Sequence, residues 1–506
     1  MKSQKLNLDF ASRFSPIVCD YLTQNKKLKP FYNRFPKNEN FSKQIIEKEN
    51  QKIDRDTLVK VLLNQNKDFD LSQKTQSNIN SLSNNNVFTV STGHQLCLFT
   101  GPLYFIYKII STLNLAEKLN KQFKDKHFVP VFWMASEDHD FEEINHVNLF
   151  GKKISWNTTQ KGAVGRMSLD NFDSVLNELD SILGSCSNSN SLSSLFRKAY
   201  SQSNLAKASR YLVNELFGKY GLVVIDGDDV LLKEKLSSII KNDIEKSKYF
   251  ETISKTSGLL SKHFKKQSNV REINFFELND NSRKRIDSNK KVDLSNYCYS
   301  PNVLMRPLYQ EILLPNIAYV GGPSEIAYWM QLKDFFDFEK IVFPMLVLRN
   351  SALILDDNKH KKIKKLDLNF DDLFLSEHEI QKSFVLKNTA YTEDFTYQNK
   401  QIEELFGSLA NKYQDSSIKS SIDAEKSKCL KSFYNLSKKL LKHEKNKHST
   451  SLNQITNIKK SLFPHNSSQE RFDSFIPFYL KYGDGLFDIL KSEFDPLDTN
   501  FVILAH

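Results

Sequence analysis

The sequence predicts an α/β protein: a parallel-sheet core, interrupted by two insertions and followed by a long helical region. Three observations carry this prediction. A strand, turn, helix, strand pattern runs from Val87 to Met134, and two more apolar runs, 221–225 and 341–348, each follow a helix-like segment. Residues 408–463 contain neither Gly nor Pro. Strands joined through helices pair in parallel, because the crossover returns the chain to the same edge of the sheet. With 506 residues, the chain is long enough for about three domains. Its 40% hydrophobic and 26% charged content excludes a disordered chain.

The elements follow in order. Residues 1–85 mix short apolar clusters with Asn, Gln, Ser and Lys, read as helices that end in the polar connector Asn80 to Asn86. Val87 to Ser91 is a β-branched and aromatic strand, and Thr92-Gly93-His94-Gln95 reads as the turn after it. From Pro102, apolar residues recur at Leu103, Ile106, Ile110 and Leu113, one face of a helix. Phe128 to Met134 is the next buried strand. The core is expected in three pieces, 1–155, 204–244 and 300–365, separated by insertions at 156–203 and 245–299. Residues 366–468 form the helical part, where Phe433, Leu436, Leu440, Ile455, Ile458 and Leu462 partly follow a heptad, with a hairpin turn expected between Lys442 and Ser451. The tail, 469–506, is expected to pack on the core. No internal repeat is visible.

A formal charge of +11 favours anionic partners, but the basic residues are scattered, so nucleic acid is not the expected partner. Five separated cysteines without a CxxC pair suggest neither disulfides nor a thiolate zinc site, which fits a cytoplasmic protein. The opening residues lack an apolar stretch, and no run of 18 uncharged apolar residues occurs, so neither a secretion signal nor a membrane span is expected.

Three polar clusters could carry chemistry. The first is Ser91 to Leu103, where Gly93 would admit an anion to the backbone N–H groups of a helix start capped by Thr100. An ordinary βα turn explains the same residues. The second is Ser136-Glu-Asp138-His139-Asp140 with Glu142, Glu143 and His146, directly after a strand, where ligands of parallel sheets lie. Asp138, His139 and Asp140 could orient an amine, act as general base or hold Mg2+. His139 and His146 lack zinc-ligand spacing. Helix-start acids complementing the macrodipole account for Glu142 and Glu143. The third is Ser300 to Trp329, in which Val320-Gly321-Gly322-Pro323 offers a second anion cradle and Arg306 a fixed cation; Arg349 and Asn350 follow the next strand. Cys97, flanked by Leu96 and Leu98, reads as packing rather than as a nucleophile.

Taken together, these stretches resemble the bacillithiol-synthesis cysteine ligase family, BshC. The resemblance rests on Thr92-Gly-His-Gln95 with Leu98 to Tyr104, on Pro130 to Trp133 with Ser136 to Phe141 and Asn145-His146, and on Ser300-Pro-Asn302 with Arg306 to Glu311. It continues through Leu314-Pro-Asn316, Tyr319 to Pro323 and Glu325 to Trp329, then Gln469-Glu-Arg471 and Phe478 to Gly483. His94 stands where many members carry Gln, and Ser324 where they carry Gly, which argues against an obligatory imidazole at His94.

The resemblance implies a Rossmann-like core with two connecting-peptide insertions and a coiled coil that pairs subunits into a homodimer. It also implies amide formation between L-cysteine and glucosaminyl malate; since that is uphill in water, ATP is the expected source of activation, and Mg2+ is a candidate companion that the acidic loop could hold. The implied roles are catalytic for Asp138, His139 and Asp140. Gly93, His94, Gln95, Thr100, His146, Arg306, Tyr309, Glu311, Glu325 and Tyr328 would bind substrate. Gly321, Gly322, Arg349 and Asn350 would hold the nucleotide, with Tyr479 and Tyr482 from the tail. Competing readings are a nucleotidyltransferase that adenylates a small carboxylate, although HxGH and KMSKS are missing, and a non-catalytic coiled-coil or RNA-binding scaffold.

Overall fold

The computed structural model describes residues 2–7, 14–295, 297–389 and 395–505. Part of the opening stretch read for a leader, 1 and 8–10, together with 11–13, and part of the helical region, 390–394, lie outside the described residues. The chain divides into two compact units: 3–352 with 469–502, and 353–468 with the residues from 503 onward.

The first unit is built on a five-stranded sheet. Its strands are β1 (Val87–His94), β2 (His127–Met134), β3 (Val223–Asp226), β4 (Asn316–Gly321) and β5 (Met345–Leu348). Every pairing is parallel, in the order β5-β4-β1-β2-β3. This is the Rossmann order, in which the direction of strand addition reverses between β1 and β4. Side chains alternate between two cores, as the two-residue strand repeat dictates. Val87, Val129, Val131, Trp133, Val223, Ile225, Tyr319 and Leu346 pack on one face. Phe88, Val90, Phe128, Ile317, Val320, Met345 and Val347 pack on the other.

Three sequence expectations shift by a few residues. The Thr92–Gln95 turn is largely strand: β1 runs on to His94, pairing Gly93 with Trp133 and His94 with Met134. The strand expected over 341–348 begins only at Met345, because Pro344 lacks the N–H that pairing needs. Pro130 is tolerated within β2 because pairing to β3 starts at Val131. Helix α1 (Leu103–Gln122) crosses from β1 to β2 and is nearly all buried, with Pro102 rather than Thr100 as its N-cap. Thr100 instead sits in a 3-10 turn at φ 70°.

Between β2 and β3 lie a hairpin (His146–Leu149 with Lys152–Ser155), two helices, and α2 (Leu205–Phe217). Between β3 and β4 lie further helices, an antiparallel three-stranded sheet (Phe275–Asn279, Ser282–Arg285, Tyr299–Pro301) and α3 (Arg306–Leu313). Helix α4 (Pro323–Trp329) follows β4.

The second unit is helical. α5 (Glu377–Lys387) packs on α8 (Ser449–Leu462) through Ile380, Phe384, Ile455 and Ile458, and Gln381 donates to Thr456 at 3.0 Å. α6 (Thr396–Ala410) runs along the 32-residue α7 (Ser416–Lys447), with the Phe395 and Phe433 rings 5.9 Å apart. The turn between α7 and α8 falls at His448. A second break, before α7, had no Gly or Pro to mark it; Asp415 makes it by accepting the N–H groups of Ser417 and Ile418. No described helix is long and apolar enough to cross a membrane.

Candidate active site

A cavity of about 620 Å³ opens beyond the carboxyl ends of the strands, at the β1–β4 reversal. Strands of a parallel sheet diverge there, which is why ligands of such sheets collect at this place. β1 supplies Gly93 and His94, the loop after β2 supplies Ser136 to Asp140, α3 supplies Arg306, and the start of α4 supplies Gly322 to Glu325 with Tyr328. Arg349 follows β5, Arg471 comes from the returning tail, and Arg271, Phe276 and Arg283 come from the second insertion.

One side of the cavity is acidic. Asp138 Oδ2 accepts from Gln95 Nε2 at 2.9 Å, and Oδ1 accepts the His139 backbone N–H at 2.8 Å. Burial alone would raise the Asp138 carboxyl, but hydrogen bonds from His139 and Gln95, with the charge of Arg283, hold it well below the usual carboxylate range. Gln95 Nε2 also donates to Glu143 at 2.8 Å. The loop itself is clamped by the first insertion: Val164 and Gly165 donate to the Asp138 and Ser136 carbonyls at 2.7 and 2.8 Å. Gly165 is required there, since a Cβ would lie 2.6 Å from the Ser136 Cβ. Glu137 is buried on Lys233 Nζ at 2.7 Å, and the same lysine meets Asp228 at 2.7 Å.

The lining also carries buried cations. Arg349 forms a buried pair with Glu470, at 2.8 Å from Nη2, and bonds Ser351 through Nη1, while its Nε has no hydrogen-bond partner among the described residues. A buried donor without a partner is costly, so it marks a place for an acceptor. Arg306 donates to the Tyr328 hydroxyl at 2.7 Å. Lys108 is buried, bonds the Gly93 carbonyl at 2.6 Å and pairs with Glu325 at 2.5 Å. Burial and the charge of Lys108 push the His94 imidazole down to about 4, so it is neutral at pH 7. His94 Nδ1 lies 3.0 Å from the Gln95 carbonyl, which only accepts, so Nδ1 carries the proton. Cys97 is inert packing: burial pushes its thiol up to about 12.

Oxygen and nitrogen atoms of Asp138, His139 and Asp140 lie within 4.8 Å of one another. The donor set nonetheless does not fit a resident cation. Arg283 Nη1 stands 3.0 Å from His139 Nδ1 and 3.7 Å from Asp138 Oδ1, so a positive charge already occupies that side.

Residues 1–350 match the family model described as bacillithiol biosynthesis BshC, N-terminal Rossmann-like domain, and residues 352–506 match the BshC C-terminal coiled-coil domain. The chain belongs to the BshC family. It is 41% identical to a protein of Flavobacterium psychrophilum over 97% of each chain, and 41% identical to one of Flavobacterium johnsoniae over the full length of both. A Bacillus cytotoxicus protein is 25% identical over 96% of this chain and 97% of its own. Each of the three carries the name "Putative cysteine ligase BshC".

For this BshC chain, the cavity brings together Asp138, His139, Asp140, Gly93, His94, Gln95, Arg306, Glu325, Tyr328, Gly322 and Arg349. The remaining candidates lie elsewhere. Thr100 is buried in the 3-10 turn. His146 bonds Asn145 on the hairpin. Tyr309 donates to the Gly227 carbonyl at 2.8 Å, and Glu311 is fully buried against Lys48 at 3.3 Å. Gly321 lies within β4, its carbonyl accepting from Arg349 N. Asn350 is bonded to Ser111 and to the Asp495 carbonyl. Tyr479 donates to Asp484, and Tyr482 carries Lys481 over its ring.

Both backbone anion cradles are also corrected. Leu103 N, at the start of α1, already donates to the Asp473 carbonyl at 2.8 Å, and Gly322 N donates to Glu325 Oε2 at 2.8 Å. Besides Lys108, the cations that line the cavity are guanidinium groups, those of Arg271, Arg283, Arg306, Arg349 and Arg471. Sequence reasoning missed Lys108, Arg271, Arg283 and Arg471. Lys108 was legible as a lone cation within the apolar face of α1, whereas Arg271 and Arg283 lie in a Lys- and Asn-rich insertion that gave no local signal.

Proposed function

We propose that this chain is a ligase that joins the carboxyl of L-cysteine to the amine of glucosaminyl malate, the last step of bacillithiol synthesis. The observation that carries this reading is the mixed charge of one cavity, whose lining combines Asp138 and Asp140 with Arg306, Arg349 and Arg471. Glucosaminyl malate is itself bipolar, with an amine at one end and carboxylates at the other. Such a molecule finds acids for its ammonium and arginines for its carboxylates within a single space.

Amide formation from a free carboxylate is uphill in water, so the cysteine carboxyl must be activated, and ATP is the proposed source. The guanidinium groups suit phosphate as well as carboxylate, and the partnerless Arg349 Nε is the donor that most needs such an acceptor. The acidic loop receives the amine and takes up its proton, since only the neutral amine attacks an acyl centre. Asp138, held deprotonated by its surroundings, acts as an anchor for the ammonium.

We further propose that the chain acts as a homodimer through its helical unit. α6 buries none of its described residues and α7 only Ile422, while Tyr397, Leu405, Tyr434 and Leu436 stand exposed on these helices. Apolar side chains gathered in this way mark an association surface.

The deciding experiment is mass spectrometry of protein incubated with cysteine, glucosaminyl malate and each nucleotide in turn. An amide product with ATP is expected from the native chain, and none from the Asp138→Asn, Asp140→Asn double variant with its fold intact. Full activity in that variant would overturn the assignment, and pyrophosphate released from ATP and cysteine alone would make the chain an adenylating enzyme.

A further inference from the structure

His139 is one of three groups on the acidic loop able to receive the amine. Its surroundings narrow that role. Arg283, on the Ser282–Arg285 strand of the second insertion, reaches the core site and places Nη1 3.0 Å from His139 Nδ1. A guanidinium has donors only and stays protonated in proteins, so the imidazole nitrogen facing it must present a lone pair. Asp138 Oδ1 is the competing acceptor for a proton on Nδ1, but at 3.5 Å it is the longer of the two contacts, and it already accepts the His139 backbone N–H at 2.8 Å.

Arg283 cannot swing away cheaply. Its Nε donates to Ser300 Oγ at 3.1 Å, its Nη2 donates to the Pro301 carbonyl at 2.8 Å, and its guanidinium lies 4.0 Å from the centre of the Phe276 ring. Its side chain is only 8% exposed. Three contacts therefore fix the donor that faces the imidazole, whereas the imidazole is 41% exposed and lines the cavity.

We infer that Arg283 is a positioning residue that holds neutral His139 in the tautomer with the proton on Nε2, so that His139 offers the reaction a hydrogen-bond donor and not a base. This deepens the ligase reading and rests on it for its catalytic meaning. The Nε2–H serves an oxygen that gains negative charge, on the activated acyl group or on a phosphate. The proton leaving the amine then goes to a carboxylate or to water. His94, across the cavity, has the opposite arrangement, with its proton on Nδ1. The two imidazoles thus serve as mutual references in one measurement.

The test is nitrogen-15 NMR of the full chain carrying ring-labelled histidine, at a pH where the rings are neutral, with each signal assigned by its loss in His139→Gln or His94→Gln. The expected result is an Nε2–H pattern for His139 and an Nδ1–H pattern for His94. Arg283→Met should shift the His139 pattern toward a mixture and lower kcat with little change in KM, while Arg283→Lys, which keeps a donor, should retain the Nε2–H pattern. An Nδ1–H pattern for His139 in the native chain, or one unmoved by Arg283→Met, overturns the inference. If Arg283→Met fails to fold, the native spectrum alone still decides. If the native chain makes no amide yet shows Nε2–H, the tautomer stands and the ligase reading falls.

Discussion

The Lys108–Glu325 pair beneath the cavity yields the sharpest energetic test. Lys108 has two partners, the Gly93 carbonyl and Glu325, and its side chain is 4% exposed. Glu325 has more: the Tyr319 hydroxyl and the Gly322 N–H donate to it as well, and its side chain is 21% exposed. Removing one member of a buried pair costs roughly 3–5 kcal/mol because the survivor is left uncompensated in a poor solvent. The survivor differs in the two single variants. Glu325→Gln strands a cation whose remaining acceptors, the Gly93 carbonyl and an amide oxygen, are both neutral, next to Arg306 and Arg349, whose charges already oppose it. Lys108→Met leaves a carboxylate that retains two donors. Glu325→Gln should therefore cost about 4 kcal/mol and Lys108→Met about 2 to 3. The double variant should cost clearly less than the sum of the two, because no uncompensated charge remains. Urea titration followed by tryptophan fluorescence is the suitable assay: Trp133, Trp156 and Trp329 are the only tryptophans, and all lie in the first unit. The signal thus reports that unit alone. Additive single costs, or a smaller loss for Glu325→Gln than for Lys108→Met, would refute the electrostatic account.

Two further outcomes follow from the same geometry. The His94 imidazole falls from 6.5 when unfolded to about 4 when folded, so the unfolded chain binds the extra proton first. Stability should fall as pH drops from 6.5 to 4, by at most ~3 kcal/mol for this group, and His94→Gln should remove that part of the slope; an identical slope in both proteins would contradict it. In the helical unit, the Leu405→Glu, Leu436→Glu double variant should sediment as a monomer where the native chain sediments as a dimer, and an unchanged mass would exclude this surface as the interface.

How far the sequence spoke depended on whether the signal was local. The β1 to α1 to β2 pattern was plain because alternation and helical spacing are set by neighbours in the chain, and the Asp138–Asp140 loop was legible because a parallel strand delivers its own end to the ligand crevice. What could not be read was who already held each donor. Leu103 N and Gly322 N look like open anion cradles in a one-dimensional text, yet one is taken by a carbonyl 370 positions away and the other by the glutamate three residues on. Glu311 and Tyr309 share a motif with Arg306, but helical rotation turns them away from the cavity, toward Lys48 and Gly227. Arg283 makes the opposite point. Nothing in Asn-Ser-Arg-Lys-Arg announces a site, and only the antiparallel pairing of Leu278 with Arg283, with the strand of Ser300 and Pro301 alongside, carries its guanidinium to His139. The acidic half of the cavity thus comes from the regular sheet, where sequence patterns are strong. The cation that faces that loop, Arg283, comes from an insertion, where placement depends on pairings between distant segments that no local pattern encodes.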